Sequence, residues 1–155
     1  MLRVLFVCLG NICRSPTAEA VLRHKLVAAG LDHQVRVDSA GTGGWHIGKA
    51  SDARTQLAAA QRGYDLSALR GRQVEREDFQ QFDLILAMGM SNLSHLSALA
   101  SVGDRAELDL FLRRYAVGID EVPDPYCGGA DGFEQVLDLV EHACEQLIIE
   151  IRGRL

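Results

Sequence analysis

Leu2-Arg3-Val4-Leu5-Phe6-Val7-Cys8-Leu9-Gly10-Asn11-Ile12-Cys13-Arg14-Ser15-Pro16-Thr17 is the stretch that decides the architecture of this chain. Leu2 to Val7 is a short aliphatic and β-branched run, suited to a strand covered on both faces. A loop follows from Cys8 to Ser15, and then the pattern turns helical. Ser15 is a preferred N-cap residue and Pro16 is preorganised for the first helical position. Downstream, Ala18, Val21, Leu22, Leu26 and Ala29 fall at helical spacing, and Gly30 suits the C-terminal cap. The order is strand, loop, helix.

That order repeats along the chain. Gln34 to Asp38 reads as a half-buried strand with Val35 and Val37 on one face, and the Gly-rich stretch Ser39 to Gly48, which holds Trp45, reads as a loop. Asp52 to Arg62 is an Ala-rich helix closed by Gly63; Asp83 to Met88 (DLILAM) is the clearest buried strand. A short helix around Ser91 to Ala100 and a weaker strand near Leu108 to Phe111 come next. In the last helix Phe133, Val136, Leu137, Val140, Leu147, Ile148 and Ile151 form an apolar stripe, and Asp131 with Glu134 resembles a capping-box start. The expected fold is α/β: residues 1–155 form one domain, a three-layer sandwich with a central four-stranded parallel sheet, helices on both faces and a phosphate-binding loop after the first strand. Ligands of such sheets bind beyond the carboxyl ends of the strands, where Cys8 should sit.

Composition narrows the function. With 48% hydrophobic and 24% charged residues, the chain can build an ordinary globular core. A formal net charge of -5 argues against nucleic acid or an anionic membrane surface as the main partner. No apolar run reaches the length of a membrane span, and Met1 to Val7 is too short for the apolar core of a signal peptide, so a cytoplasmic location is expected. Cys8, Cys13, Cys127 and Cys144 make no paired CxxC motifs, and His24, His33, His46, His95 and His142 lack metal-ligand spacing. No metal or other cofactor is expected, and the thiols should be free in a reducing compartment.

The loop itself is built for an anion. It ends at a helix N-terminus, where unpaired N–H groups and the helix dipole attract negative charge. Gly10 can take backbone conformations other residues resist, letting the loop of Leu9, Gly10, Asn11, Ile12, Cys13 and Ser15 curl around a ligand. Arg14 supplies a planar fork that matches two phosphate oxygens. Cys8 faces the same point from the other end. A cysteine at a helix N-terminus can be held as the nucleophilic thiolate with no neighbouring base, and the Ser15 hydroxyl is placed to donate to it.

Cys-x5-Arg-Ser at the end of the first strand resembles the signature loop of the low-molecular-weight protein tyrosine phosphatases. The similarity runs over essentially the whole chain: Ser39-Ala40-Gly41-Thr42, Arg54 in the second helix, DLILAM, and Val122-Pro123-Asp124-Pro125-Tyr126. The resemblance implies that Cys8 is the nucleophile, Arg14 the phosphate clamp, Ser15 the thiolate donor, Asn11 a shaper of the loop and Asp124 the general acid. It implies Trp45 and Tyr126 as walls of a cleft deep enough for an aryl phosphate, and Cys13 as the redox partner that captures oxidised Cys8. All three prolines, Pro16, Pro123 and Pro125, lie in these two segments, and two of them bracket Asp124. Asp120 and Asp131 lack that bracket and suit loop and cap roles.

The chain departs from the family at three places. Cys127 follows Tyr126 where a second Tyr is common, Gly89 replaces the expected acidic residue after Ala87-Met88, and Leu69 stands where a His often supports the loop Asn. Cys144 suits helix packing. The reaction implied is hydrolysis of phosphotyrosine and small aryl phosphates through a phospho-cysteine. Two rivals are an arsenate reductase of the same fold and a non-catalytic phosphotyrosine-binding module. The first needs relay cysteines, yet Phe82 to Leu112 contains none; the second leaves an intact Cys8, Arg14 and Asp124 unexplained. The implied partner is a phosphotyrosine-bearing protein or peptide, with a tyrosine autokinase as one candidate. Oligomeric state is open between monomer and weak homo-oligomer.

Overall fold

β1 (Leu2–Cys8) lies inside the sheet, as the apolar run from Val4 to Cys8, buried throughout, requires. In the computed structural model, which describes residues 1–126 and 129–155, β1 pairs in parallel with β2 (Val35–Gly41) on one side and β3 (Leu84–Ala87) on the other. β4 (Glu107–Leu110) completes a four-stranded parallel sheet of order β2-β1-β3-β4. Val4, Phe6 and Cys8 face one core and Leu5 and Val7 the other, all of them buried. That is the strand period of two made visible.

The first face is covered by α1 (Arg14–Ala28) and α6 (Ala130–Arg154), with α2 (Ala53–Ala60) against α6 and α5 (Phe111–Arg114) adding Phe111 and Leu112. The second is covered by α3 (Asp78–Gln81) and α4 (Met90–Leu99), through Phe79 and Leu96. The expected α/β sandwich is therefore what the chain forms. Among the described residues no helix is long and apolar enough to cross a membrane.

Several local expectations need correction. α1 begins at Arg14, with Cys13 at the N-cap, so Ser15 lies inside the first turn and caps nothing. Pro16 still sits in that turn, where its missing N–H has no intrahelical partner to lose. At the other end the glycine reading holds: Gly30 has φ +72, Leu31 N–H reaches Leu26 O at 2.9 Å and Gly30 N–H reaches Val27 O at 3.0 Å. α6 starts from Gly129 with no side-chain cap, so the Asp131–Glu134 capping box does not form. β4 ends at Leu110 because Phe111 opens the short helix α5.

Candidate active site

The loop between β1 and α1 carries its one left-handed residue at Asn11, with φ 57. Asn tolerates this region better than most residues. Gly10, expected to supply that freedom, is needed instead for space: a Cβ there would stand 2.9 Å from His46 Cδ2. Gly41 has a similar task at the end of β2, where a Cβ would lie 2.7 Å from Leu9 O. That close approach lets Thr42 N–H reach Cys8 O and Gly43 N–H reach Leu9 O, both at 2.9 Å.

A buried polar chain holds the loop from behind. Asn11 Nδ2 donates to Ser15 Oγ and to Ser39 Oγ, both at 2.9 Å, and its Oδ1 accepts the Arg72 N–H at 3.0 Å. Ser39 Oγ donates to Glu19 Oε1 at 2.6 Å, and Arg23 closes the chain on Glu19 Oε2 at 2.7 Å. With its oxygen accepting from Asn11, Ser15 can turn its hydrogen to Cys8 Sγ, 2.9 Å away. The Asn11 N–H donates to the same sulfur at 3.2 Å. Ser15 Oγ and the Asn11 N–H thus converge on Cys8 Sγ. Burial pushes the Glu19 carboxyl above its ordinary range, with Ser39 and Arg23 opposing.

Arg14 is nearly buried beside this sulfur. Its Nη2 lies 3.6 Å from Asp124 Oδ2 and its Nη1 donates to Val122 O at 3.4 Å. Among the described residues, the N–H groups of Leu9, Gly10, Ile12 and Cys13 donate to no protein acceptor, which leaves them for an anion. The cavity above the loop measures about 200 Å³ and brings Cys8, Arg14 and Asp124 together with Trp45, His46 and Tyr126. Asp124 is half-exposed at 50%, and its Oδ1 accepts the Tyr126 N–H at 3.1 Å. Trp45 and Tyr126 stand exposed at the rim; the Trp45 ring fills the space a side chain on Gly43 would need. Arg54 stacks 5.5 Å from the Tyr126 ring centroid and donates to Tyr126 O at 2.6 Å.

Cys13 lines the same cavity as Cys8 and is buried, and burial pushes its thiol up to about 12. Cys144 is fully buried in α6, which also raises its thiol, and it packs in the core as expected. Cys127 lies outside the described residues. The Leu69 departure does no harm to Asn11, because the backbone N–H of Arg72 supplies the support directly. Sequence reasoning missed His46, Glu19 and Arg72. His46 had a signal, adjacency to Trp45; Glu19 lies four residues after Ser15 on α1; Arg72 had none, since its contribution is a backbone N–H.

An α/β sheet whose first strand delivers a buried, doubly hydrogen-bonded cysteine into a loop of open N–H groups defines a cysteine-based oxyanion-binding enzyme. The particular family follows from comparison. The family model described as low molecular weight phosphotyrosine protein phosphatase matches residues 3–154. A low molecular weight protein-tyrosine-phosphatase of Streptomyces coelicolor is 47% identical over 157 residues, covering 99% of this chain and 95% of that protein. A crystal structure of a protein tyrosine phosphatase from Entamoeba histolytica superposes with a TM-score of 0.94 at 39% identity, covering 100% of both chains. YfkJ from Bacillus subtilis superposes with a TM-score of 0.89 at 39% identity, covering 99% of this chain and 96% of that one. The chain belongs to the low-molecular-weight protein tyrosine phosphatase family, enzymes that hydrolyse phosphoric monoesters through a cysteine.

Proposed function

We propose that this chain hydrolyses phosphotyrosine and small aryl phosphates in two steps, with Cys8 as nucleophile, Arg14 as phosphate clamp and Asp124 as general acid and base. The observation that carries the proposal is the convergence on Cys8 Sγ of Ser15 Oγ at 2.9 Å and the Asn11 N–H at 3.2 Å, inside the cavity that Arg14 and Asp124 also line. Cys8 thiolate attacks phosphorus in line, and the P–S bond forms as the P–O bond to the phenol breaks. Arg14 and the loop N–H groups hold the equatorial oxygens, and Asp124 protonates the departing oxygen. Asp124 then takes a proton from the water that cleaves the P–S bond, returning the thiolate. Preorganised donors supply the stabilisation, so no step calls for a metal.

Trp45, Tyr126 and His46 line the cleft with aromatic faces suited to a phenyl ring, which supports a preference for phosphotyrosine over the shorter phosphoserine. Cys13 is the proposed redox partner, and phosphotyrosine proteins of the cytoplasm, a tyrosine autokinase among them, the proposed substrates. Steady-state turnover of an aryl phosphate should exceed that of a phosphoserine peptide by orders of magnitude, with and without chelator. Comparable rates on both would overturn the aryl preference. Asp124→Asn should slow phosphorylation by phosphotyrosine by roughly 10²–10⁴-fold and by an activated aryl ester far less. Equal losses across leaving groups would remove the acid role.

A further inference from the structure

Gly89 stands where the family resemblance leads one to expect an acidic side chain, and the structure shows what replaces it. Gly89 is the N-cap of α4 and offers no side-chain acceptor to the first turn. Helix N-termini carry unsatisfied N–H groups and partial positive charge, and a carboxylate is favoured there. Here the carboxylate comes from far along the chain. Glu121 Oε2 accepts the Met90 N–H at 3.0 Å. A Cβ at position 89 would stand 2.8 Å from that same oxygen, so a side chain there would make the Glu121 carboxylate shift. The backbone of Gly89, with φ -148 and ψ 168, is open to any residue, so it is this space and not the conformation that the glycine provides.

Glu121 does not act alone. The next residue, Val122, donates its N–H to Met88 O at 2.8 Å and accepts from Arg14 Nη1 at 3.4 Å. Consecutive residues therefore grip the end of β3 and the start of α4, and the chain leaves that grip straight into Pro123 and Asp124. Asp124 has little burial of its own: its side chain is 50% exposed, held by Arg14 3.6 Å away and by the Tyr126 N–H of its own turn at 3.1 Å. Backbone placement has to do what burial does not.

We infer that Glu121 is a positioning residue for the general acid, anchoring the segment that carries Asp124 by capping α4 from outside; this rests on the proposed acid role of Asp124. A small displacement of a catalytic group is costly in rate, because proton transfer needs the donor within hydrogen-bond reach of the leaving oxygen. A residue that merely capped α4 would add stability without touching leaving-group chemistry.

The two are separated by comparing wild type, Glu121→Ala, Glu121→Gln, Asp124→Asn and the double variant Gly89→Asp/Glu121→Ala. Each is measured for Tm, for KM, and for pre-steady-state phosphorylation by phosphotyrosine and by an activated aryl ester. Glu121→Ala should slow phosphotyrosine by roughly tenfold while the activated ester and both KM values stay within about twofold. Glu121→Gln keeps an acceptor oxygen and should stay near wild type. In the double variant Asp at position 89 caps α4 locally, so Tm should return while the phosphotyrosine defect persists. Recovery of the phosphotyrosine rate together with Tm would reduce Glu121 to a cap and overturn the inference. Equal slowing of both substrates by Glu121→Ala, with Asp124→Asn still discriminating, would also overturn it and leave the acid role standing. Loss of discrimination in Asp124→Asn itself would take down the acid role and this inference together.

Discussion

Two thiols share one cavity in this protein and differ in readiness. Cys8 Sγ has Ser15 Oγ at 2.9 Å and the Asn11 N–H at 3.2 Å, whereas burial pushes the Cys13 thiol up to about 12. At neutral pH Cys13 is thus a protonated thiol, a poor nucleophile, and the proposed capture of an oxidised Cys8 would not need it to be a thiolate beforehand. Iodoacetamide should label Cys8 first, with phosphate protecting; equal labelling of Cys13 would contradict this contrast. Mild peroxide should inactivate the wild type reversibly, and Cys13→Ser should lose much of the recovery given by thiol reductant. Equal recovery would leave Cys13 as loop packing. Behind the loop, Glu19 ends a buried chain with its carboxyl raised above the ordinary range by burial. A carboxyl raised on folding contributes most at low pH, and that contribution is lost as pH rises through the folded value. Glu19→Gln does not titrate, so its Tm should gain on the wild type as pH climbs from the ordinary carboxylate range towards neutrality. A difference that stays flat, or moves the other way, would contradict the raised carboxyl.

At the scale of elements, α6 is held by charge as well as by its apolar stripe. Arg62, just past the end of α2, lies 3.1 Å from Glu134, 2.9 Å from Asp138 and 2.5 Å from Glu141. These carboxylates recur along one face of α6, so removing the guanidinium leaves like charges facing one another. Arg62→Ala should cost about 1–2 kcal/mol of stability in low salt, less in high salt, with turnover of an aryl phosphate unchanged. No change in the denaturation midpoint would show the network to be ornamental. The elements that sequence reveals best are those whose signal is local. β1, the loop and α1 are contiguous, so patterning alone exposed them, and the prolines marked the segment of Asp124. What stayed hidden was short or distant. α3 and α5 have four residues each, too few for a helical period to show. Of the two readings the sequence allowed for Ser15, cap and donor to Cys8, the cap fails because the helix begins one residue earlier, and Ser15 Oγ lies 2.9 Å from Cys8 Sγ. Glu121 reaches Met90 across 31 positions, a pairing no local rule contains.

Across the whole molecule, an acidic protein of net charge -5 presents one cavity where Arg14 and open loop amides await an anion. The sheet makes this possible: parallel strands bring the ends of β1, β2 and β3 to one edge, so Cys8, the Gly41 turn and the Met88–Met90 corner meet there. Overall charge was legible in composition and the local reversal of sign in the loop, from Gly10, Arg14 and the helix start; which N–H groups stay open was not, since that is set by the folded backbone. The central claim is that the phosphoryl group passes through Cys8. Rapid acid quench during turnover of an aryl phosphate, followed by mass analysis of the peptide carrying Cys8, tests it directly. The mass of one phosphoryl group should appear on Cys8 in the wild type, rise in Asp124→Asn with an activated aryl ester, where formation is little slowed but hydrolysis of the intermediate loses its base, and vanish in Cys8→Ser. Full turnover by Cys8→Ser, or a phosphoryl group trapped on any other residue, would contradict the account.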